Sequence, residues 1–160
     1  MRPMLPLAVL TLALAPVALA AQSSVSLQAG AITSADLNAF EVGVRFSPSR
    51  ANSVGVGFSF DALPQAFSAG AFIALADLSL AGNVALAPQA RLELRAGGSA
   101  LAGVGGGGGG AIGGYHVGAG LLVGGVGPMG VRLDYTYRRL MVEGESYPVP
   151  SFTIGLILHR

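Results

Sequence analysis

The chain has 160 residues, enough for one domain with a sizeable interior, and its charged fraction of 11% is less than half of what a soluble domain carries. Hydrophobic residues make up 52%, Gly is used 25 times, and Cys and Trp are absent. Without Cys there is no disulfide framework, thiol nucleophile or thiolate metal site, and a formal charge of +1 gives no basic field for nucleic acid.

Residues 1–20 read as a signal peptide. Arg2 supplies the positive start, Leu5 to Leu14 the apolar stretch, and Ala18-Leu19-Ala20 a small-x-small cleavage site. The expected mature chain, 21–160, holds no apolar run long enough to span a bilayer as a helix without Gly, Pro or charge. If it is integral to a membrane, it must cross as a barrel, because only helices and closed barrels satisfy every backbone polar group in lipid.

From Ser24 onward, apolar and polar residues alternate with the period of two that marks a strand with one apolar face. Val25, Leu27 and Ala29 oppose Ser24, Ser26 and Gln28. After a polar connection at 32–37, Phe40, Val42, Val44 and Phe46 oppose Glu41, Gly43 and Arg45. A Ser-Pro turn at 48–52 leads to Val54, Val56, Phe58 and Phe60 opposite Gly55, Gly57 and Ser59. A longer connection is expected at 61–70, with Asp61 inside it.

The fourth segment, Ala71 to Asn83, puts Phe72, Ala74, Ala76, Leu78 and Leu80 on one face. Asp77, Ser79 and Asn83 share the other with Ile73 and Leu75, which break the pattern. A turn at 84–88 precedes Leu92, Leu94 and Ala96 opposite Arg91, Glu93 and Arg95. The run of six glycines at 105–110 reads as a flexible loop spanning 101–113; it lacks the Lys-Ser/Thr and helix of a phosphate loop. Tyr115, Val117, Ala119, Leu121 and Val123 then oppose His116, Gly118 and Gly120, with Leu122 as an exception. After a Gly-Pro turn at 125–129 comes the clearest strand. Val131, Leu133, Tyr135 and Tyr137 face one way, and Arg132, Asp134, Thr136 and Arg138 the other. A loop at 140–150 and a last strand through Phe152, Ile154, Leu156 and Leu158 complete eight.

The expected fold is all-β, an eight-stranded antiparallel up-and-down transmembrane β-barrel following the signal peptide. Short turns alternating with longer loops are expected to sort to opposite ends, as in outer-membrane barrels. In a barrel the apolar faces meet lipid, and the polar faces gather Glu41, Arg45, Asp77, Arg91, Glu93, Arg95, Arg132, Asp134 and Arg138 in the lumen. An eight-stranded interior is only wide enough for side chains. These groups should therefore be desolvated and paired, plugging the lumen. Gly on the same faces either leaves room for long Arg side chains or relieves curvature.

The stretches Gly118-Ala119-Gly120-Leu121, Gly130 to Arg138 and Phe152-Thr153-Ile154-Gly155-Leu156 carry a resemblance to small bacterial outer-membrane β-barrel proteins, the OmpA/OmpX-like group. The chain departs from that group in closing on Leu158-His159-Arg160 where the group ends in an aromatic residue. The resemblance implies an outer-membrane location and a structural or surface-interaction role. It also implies membrane lipid, lipopolysaccharide and the barrel-assembly machinery as partners, with the barrel a monomer. No nucleic acid, cofactor, metal or catalytic residue is expected. Two other readings stay open. One is a soluble exported lipocalin-like barrel with its apolar face inward, around an apolar ligand. The other is a lipid-modifying barrel enzyme using His116 with Ser99, Ser146 or Ser151 and with Glu143 or Glu145 as orienter.

Overall fold

A computed structural model describes residues 23–34, 38–124 and 129–158. The expected signal peptide at 1–20 lies outside them. Eight strands follow one another: β1 Ser23–Thr33, β2 Asn38–Pro48, β3 Ser53–Ala62, β4 Phe72–Ala87, β5 Ala90–Gly105, β6 Gly108–Gly124, β7 Met129–Val142 and β8 Glu145–Leu158. One helical turn, α1 (Gln65–Ser68), interrupts the connection between β3 and β4. Each strand pairs antiparallel with the next, and β8 returns to β1 to close the barrel. Closure gives every strand a partner on both sides, with the β2–β3 ladder limited to Val42↔Ala62 through Phe46↔Phe58, and so leaves no strand as a free sheet edge, which lipid could not satisfy. Among the described residues no helix is long and apolar enough to cross a membrane.

The alternation read from the sequence sets the two faces of the wall. Leu27, Leu78, Leu80, Leu94, Val117, Val131, Tyr135, Ile154 and Leu156 stand exposed on the outside. Glu41, Arg45, Asp77, Glu93, Arg95, Arg132, Asp134 and Arg138 are buried inside. This is the reverse of a soluble barrel, and it excludes the lipocalin-like arrangement, whose apolar side chains would point inward around a ligand.

Several sequence expectations are corrected. The glycine run is not a loop at 101–113. β5 continues to Gly105 and β6 begins at Gly108, so the glycines pair with one another, as in Gly103↔Gly110 and Gly105↔Gly108. Backbone pairing needs no side chain, so a Gly-rich stretch next to a paired strand extends the ladder. The expected loop at 140–150 is likewise a hairpin, closed by Glu143 and Gly144 with φ of 51° and 89°. Two successive positive φ values make the tight turn whose twist matches the strands it joins. The sorting of loop lengths by end is therefore absent. Instead, β4 to β6 run 16, 16 and 17 residues against 11, 11 and 10 for β1 to β3. A tilted strand crosses hydrocarbon in about 9–11 residues. At the end away from both termini the β5–β6 hairpin therefore runs on past the last β6–β7 pair, Gly114↔Leu140, with β4 beside it as far as Val104.

At that end the lumen is closed by an apolar cluster of Ile32, Leu63, Leu75, Leu140 and Val149, with Ile73, Leu101 and Ile112 packed against it. Ile73 and Leu75 broke the sequence alternation because they belong to this inward cap. Leu122 is buried toward the opposite end, as is Ile157.

Candidate functional site

The only dense assembly of polar chemistry among the described residues is the lumen. β2, β3, β4 and β7 bring together an upper layer beneath the apolar cap. At its centre Arg138, fully buried, donates from Nε to both Asp77 oxygens at 3.2 and 3.1 Å, from Nη2 to Asp77 Oδ2 at 2.8 Å, and from Nη1 to Ser151 Oγ at 2.7 Å. Its guanidinium also lies 3.6 Å from Asp61 and 3.9 Å from Glu41. One cation thus faces three carboxylates. Gln28 Nε2 donates to Asp61 Oδ1 at 2.5 Å, which supplies one further partner.

A lower layer, toward the termini, has the opposite balance. Asp134 sits among Arg45, Arg95 and Arg132. Arg95 Nη1 donates to Asp134 Oδ1 at 2.5 Å, and its Nη2 donates to Thr136 at 2.6 Å. Arg132 spans Asp134 and Glu93 with short charge-assisted bonds from Nε and Nη2, and its Nη1 reaches Ser47 Oγ at 2.9 Å. Arg45 approaches Asp134 only to 3.6 Å. Bidentate geometry of the kind Arg132 makes is what stabilises a guanidinium out of water.

Eight of the nine residues expected in the lumen network lie in these two layers. The ninth does not. Arg91 is part-buried near the turn end of β5, and its Nη1 donates to the Ser49 carbonyl; among the described residues it faces no carboxylate. Its position one rung from the Pro88–Gln89 turn puts it at the mouth. Asp61, assigned from sequence to a loop, is instead the last inward position of β3 and is completely buried. Its place at the second residue after Ser59 was the available signal.

Glycine leaves the room these layers need. A Cβ at Gly118 would come within 2.9 Å of the Arg95 guanidinium carbon, and one at Gly120 would run into Asp134 and lie 3.1 Å from Arg132 Nη2. Elsewhere the reason is the wall itself: a Cβ at Gly30, Gly97 or Gly114 would meet the backbone carbonyl of the adjacent strand. Both explanations, volume and close backbone approach, apply at different positions.

His116 and Ser99, two members of the possible catalytic set, do meet: Ser99 Oγ is 3.0 Å from His116 Nδ1 and donates to Asp77 Oδ1 at 2.7 Å. The order is wrong for a relay, in which imidazole stands between hydroxyl and carboxylate. Here the hydroxyl is spent on Asp77. Ser151 lies apart on Arg138, Ser146 accepts from Arg139 at 3.2 Å on the outside, and Glu143 and Glu145 are exposed at the far hairpin. The cavity lined in part by His116 and Asp77 has a volume of about 10 Å³. That is roughly the room of one water and none for a substrate. Among the described residues no group of three or more His, Asp or Glu is placed to hold a metal ion.

No protein-family model and no curated protein matches the chain. Solved structures do. The N-terminal β-barrel domain of Pseudomonas aeruginosa OprF superposes with a TM-score of 0.58 at 14% identity, covering 86% of this chain and 98% of that one. Neisserial surface protein A gives 0.61 at 12% identity, with 86% and 96% covered. The fold is that of the OmpA/OmpX-like eight-stranded outer-membrane barrels. Ail, the attachment invasion locus protein of Yersinia pestis, agrees at 0.55 and 16% identity, covering 86% of this chain and 97% of Ail. A de novo designed transmembrane barrel also matches, at 0.51 and 10% identity. The closed barrel is thus common ground for chains with little sequence in common.

Proposed function

We propose that this chain is an integral outer-membrane barrel of structural or surface-interaction type, acting without catalysis and without a conducting pore. The observation that carries this reading is the inverted wall: aliphatic and aromatic side chains outside, a closed ionic network inside. Exposed Leu80 and Val54, at 67% and 78%, would be severe liabilities in water and are ordinary in lipid.

The plugged lumen makes the barrel a rigid support. What it supports is the end away from the termini, where the long β5–β6 hairpin, the β7–β8 hairpin and the α1 connection stand. Phe67 and Phe72 stack there at a centroid distance of 5.7 Å and are exposed, as is Phe40 near the start of β2, a set suited to the membrane–water interface. On this reading the partners are membrane lipid and, where present, lipopolysaccharide, the barrel-assembly machinery inserts the chain, and a single copy suffices to close the sheet.

Cell fractionation with heat-modifiable gel mobility tests the location: folded protein in the outer-membrane fraction, migrating differently when unboiled, is expected. A detergent-free soluble monomer would overturn it. Planar-bilayer recording tests the plug separately, since large steady conductance is incompatible with it.

A further inference from the structure

The small lumen cavity is lined by Arg45, Arg95 and His116, together with Asp77, Glu93 and small residues of β3 and β4. Three of these side chains carry a buried nitrogen with no partner: Arg45 Nε, Arg95 Nε and His116 Nε2. Such groups cost free energy unless something completes them. Their chemistry specifies what. Both Arg nitrogens are obligatory donors. His116 is fixed by its neighbour. Because Asp77 can only accept, the Ser99 hydroxyl gives its proton to Asp77. Its contact with His116 therefore has imidazole Nδ1–H donating to Ser99 Oγ. In the neutral ring that tautomer leaves Nε2 as a bare acceptor.

We propose that this cavity is a binding site for one ordered water, which accepts from Arg45 Nε–H and Arg95 Nε–H and donates to His116 Nε2. Water is the small guest able to do both at once. A halide would suit the two guanidinium donors but meets a lone pair at His116. The volume of about 10 Å³ matches one water and leaves a halide tight. The charges lining the cavity also balance, with Arg45 and Arg95 against Asp77 and Glu93, so no net positive field selects an anion.

The apolar cap closes the lumen on the far side of the cavity, and Ser47 and Ser79 are among the residues that line it toward the termini end. There the β2–β3 ladder covers only Val42↔Ala62 to Phe46↔Phe58, the shortest in the barrel. Below Phe46 the wall beside the 49–52 turn is not laddered. The water bridges the two charged layers, joining His116 beside Asp77 to Arg45 and Arg95 beside Asp134.

The test is nitrogen-edited NMR of the refolded full barrel in nanodiscs. Magnetisation transfer from one water to the Nε–H protons of both Arg45 and Arg95 is expected, and the His116 nitrogens should report Nδ1 protonated and Nε2 bare. Replacing chloride with bromide or gluconate should leave these signals unmoved. Absence of water transfer to both side chains would overturn the site, as would halide-dependent shifts, which would make the guest an anion. A protonated His116 Nε2 would also overturn it. In Arg45→Met the Arg95 transfer should fall at least severalfold while the Tyr135 backbone amide stays put. Unchanged transfer would count against the shared guest, and if that variant does not fold the wild-type signals decide.

Discussion

Two charged layers fill one lumen with opposite stoichiometry. Above, Arg138 is the guanidinium within 4 Å of Glu41, Asp61 and Asp77; below, Arg45, Arg95 and Arg132 lie that close to Asp134 or Glu93. The upper layer's close pairs all run through Arg138, and Asp134 is the carboxylate that meets all three arginines of the lower one. Each excess is partly offset by neutral donors and acceptors: Gln28, Ser59 and Ser99 above, Ser47 and Thr136 below. A buried ion pair is weak evidence for net stability, but the loss of one partner strands the others at high cost. The comparison therefore locates fragility: it lies in the two hubs rather than in the charges generally.

The upper hub should be the worst residue to lose. Arg138→Met removes the cation that lies within 4 Å of three buried carboxylates, and a loss of at least about 3–5 kcal/mol is expected in urea-induced unfolding from lipid bilayers, with failure to refold as the extreme. Asp134→Ala should cost about 3–5 kcal/mol as well, at the low end of that range, because Glu93 still holds Arg132 through two nitrogens. If Asp134→Ala proved the more damaging, the lower layer would be the principal plug. If neither variant moved the transition, the charges would be facing water.

A third substitution separates the layers by their neighbours. Leu75→Ala opens the apolar cap directly above the upper layer, and a loss of about 2–5 kcal/mol is expected from the lost contacts and the cavity. Its effect should couple with a change at Asp77, two positions along the same face, and add independently to Asp134→Ala. A double-mutant cycle measured by unfolding reads this. Equal coupling to both layers would mean that the lumen responds as one unit.

Much of this architecture was legible in the chain. The alternation from Ser24 to Leu158 places the inward and outward residues of all eight strands, because in a strand face assignment follows from parity alone. Parity also explains why Ile73, Leu75 and Leu122 looked anomalous: they are inward, and apolar because the ends of the lumen are. Strand limits were less legible. The glycines at 105–110 and the segment 140–150 carry loop composition, yet they extend hairpins, because a ladder propagates through backbone bonds to which composition is blind. Asp61 was hidden for the same reason, one residue past the point where the apolar alternation of β3 ended. Arg91 had the right parity but the wrong height. Depth in the lumen comes from barrel stagger, which no single strand encodes. The pairing of Ser99 with His116 likewise depends on register, since these diagonal neighbours on β5 and β6 can be matched only once the hairpin turn is known.

The smallest predicted effect bears on how the layers are accommodated. Gly118 faces the Arg95 guanidinium at a distance no Cβ tolerates comfortably, while a Cβ at Gly106, at the β5–β6 turn, meets nothing within 4 Å. If inward glycines exist to make room for lower-layer arginines, Gly118→Ala should destabilise by about 1–3 kcal/mol, the usual cost of overpacking. Gly106→Ala should do almost nothing. Combining Gly118→Ala with Arg95→Lys, whose slimmer head vacates the contact, should recover part of that loss relative to Arg95→Lys alone. Full additivity would mean that Gly118 serves the curvature of the wall and not the volume of its neighbour. In that case the lower layer would owe its packing to register rather than to glycine.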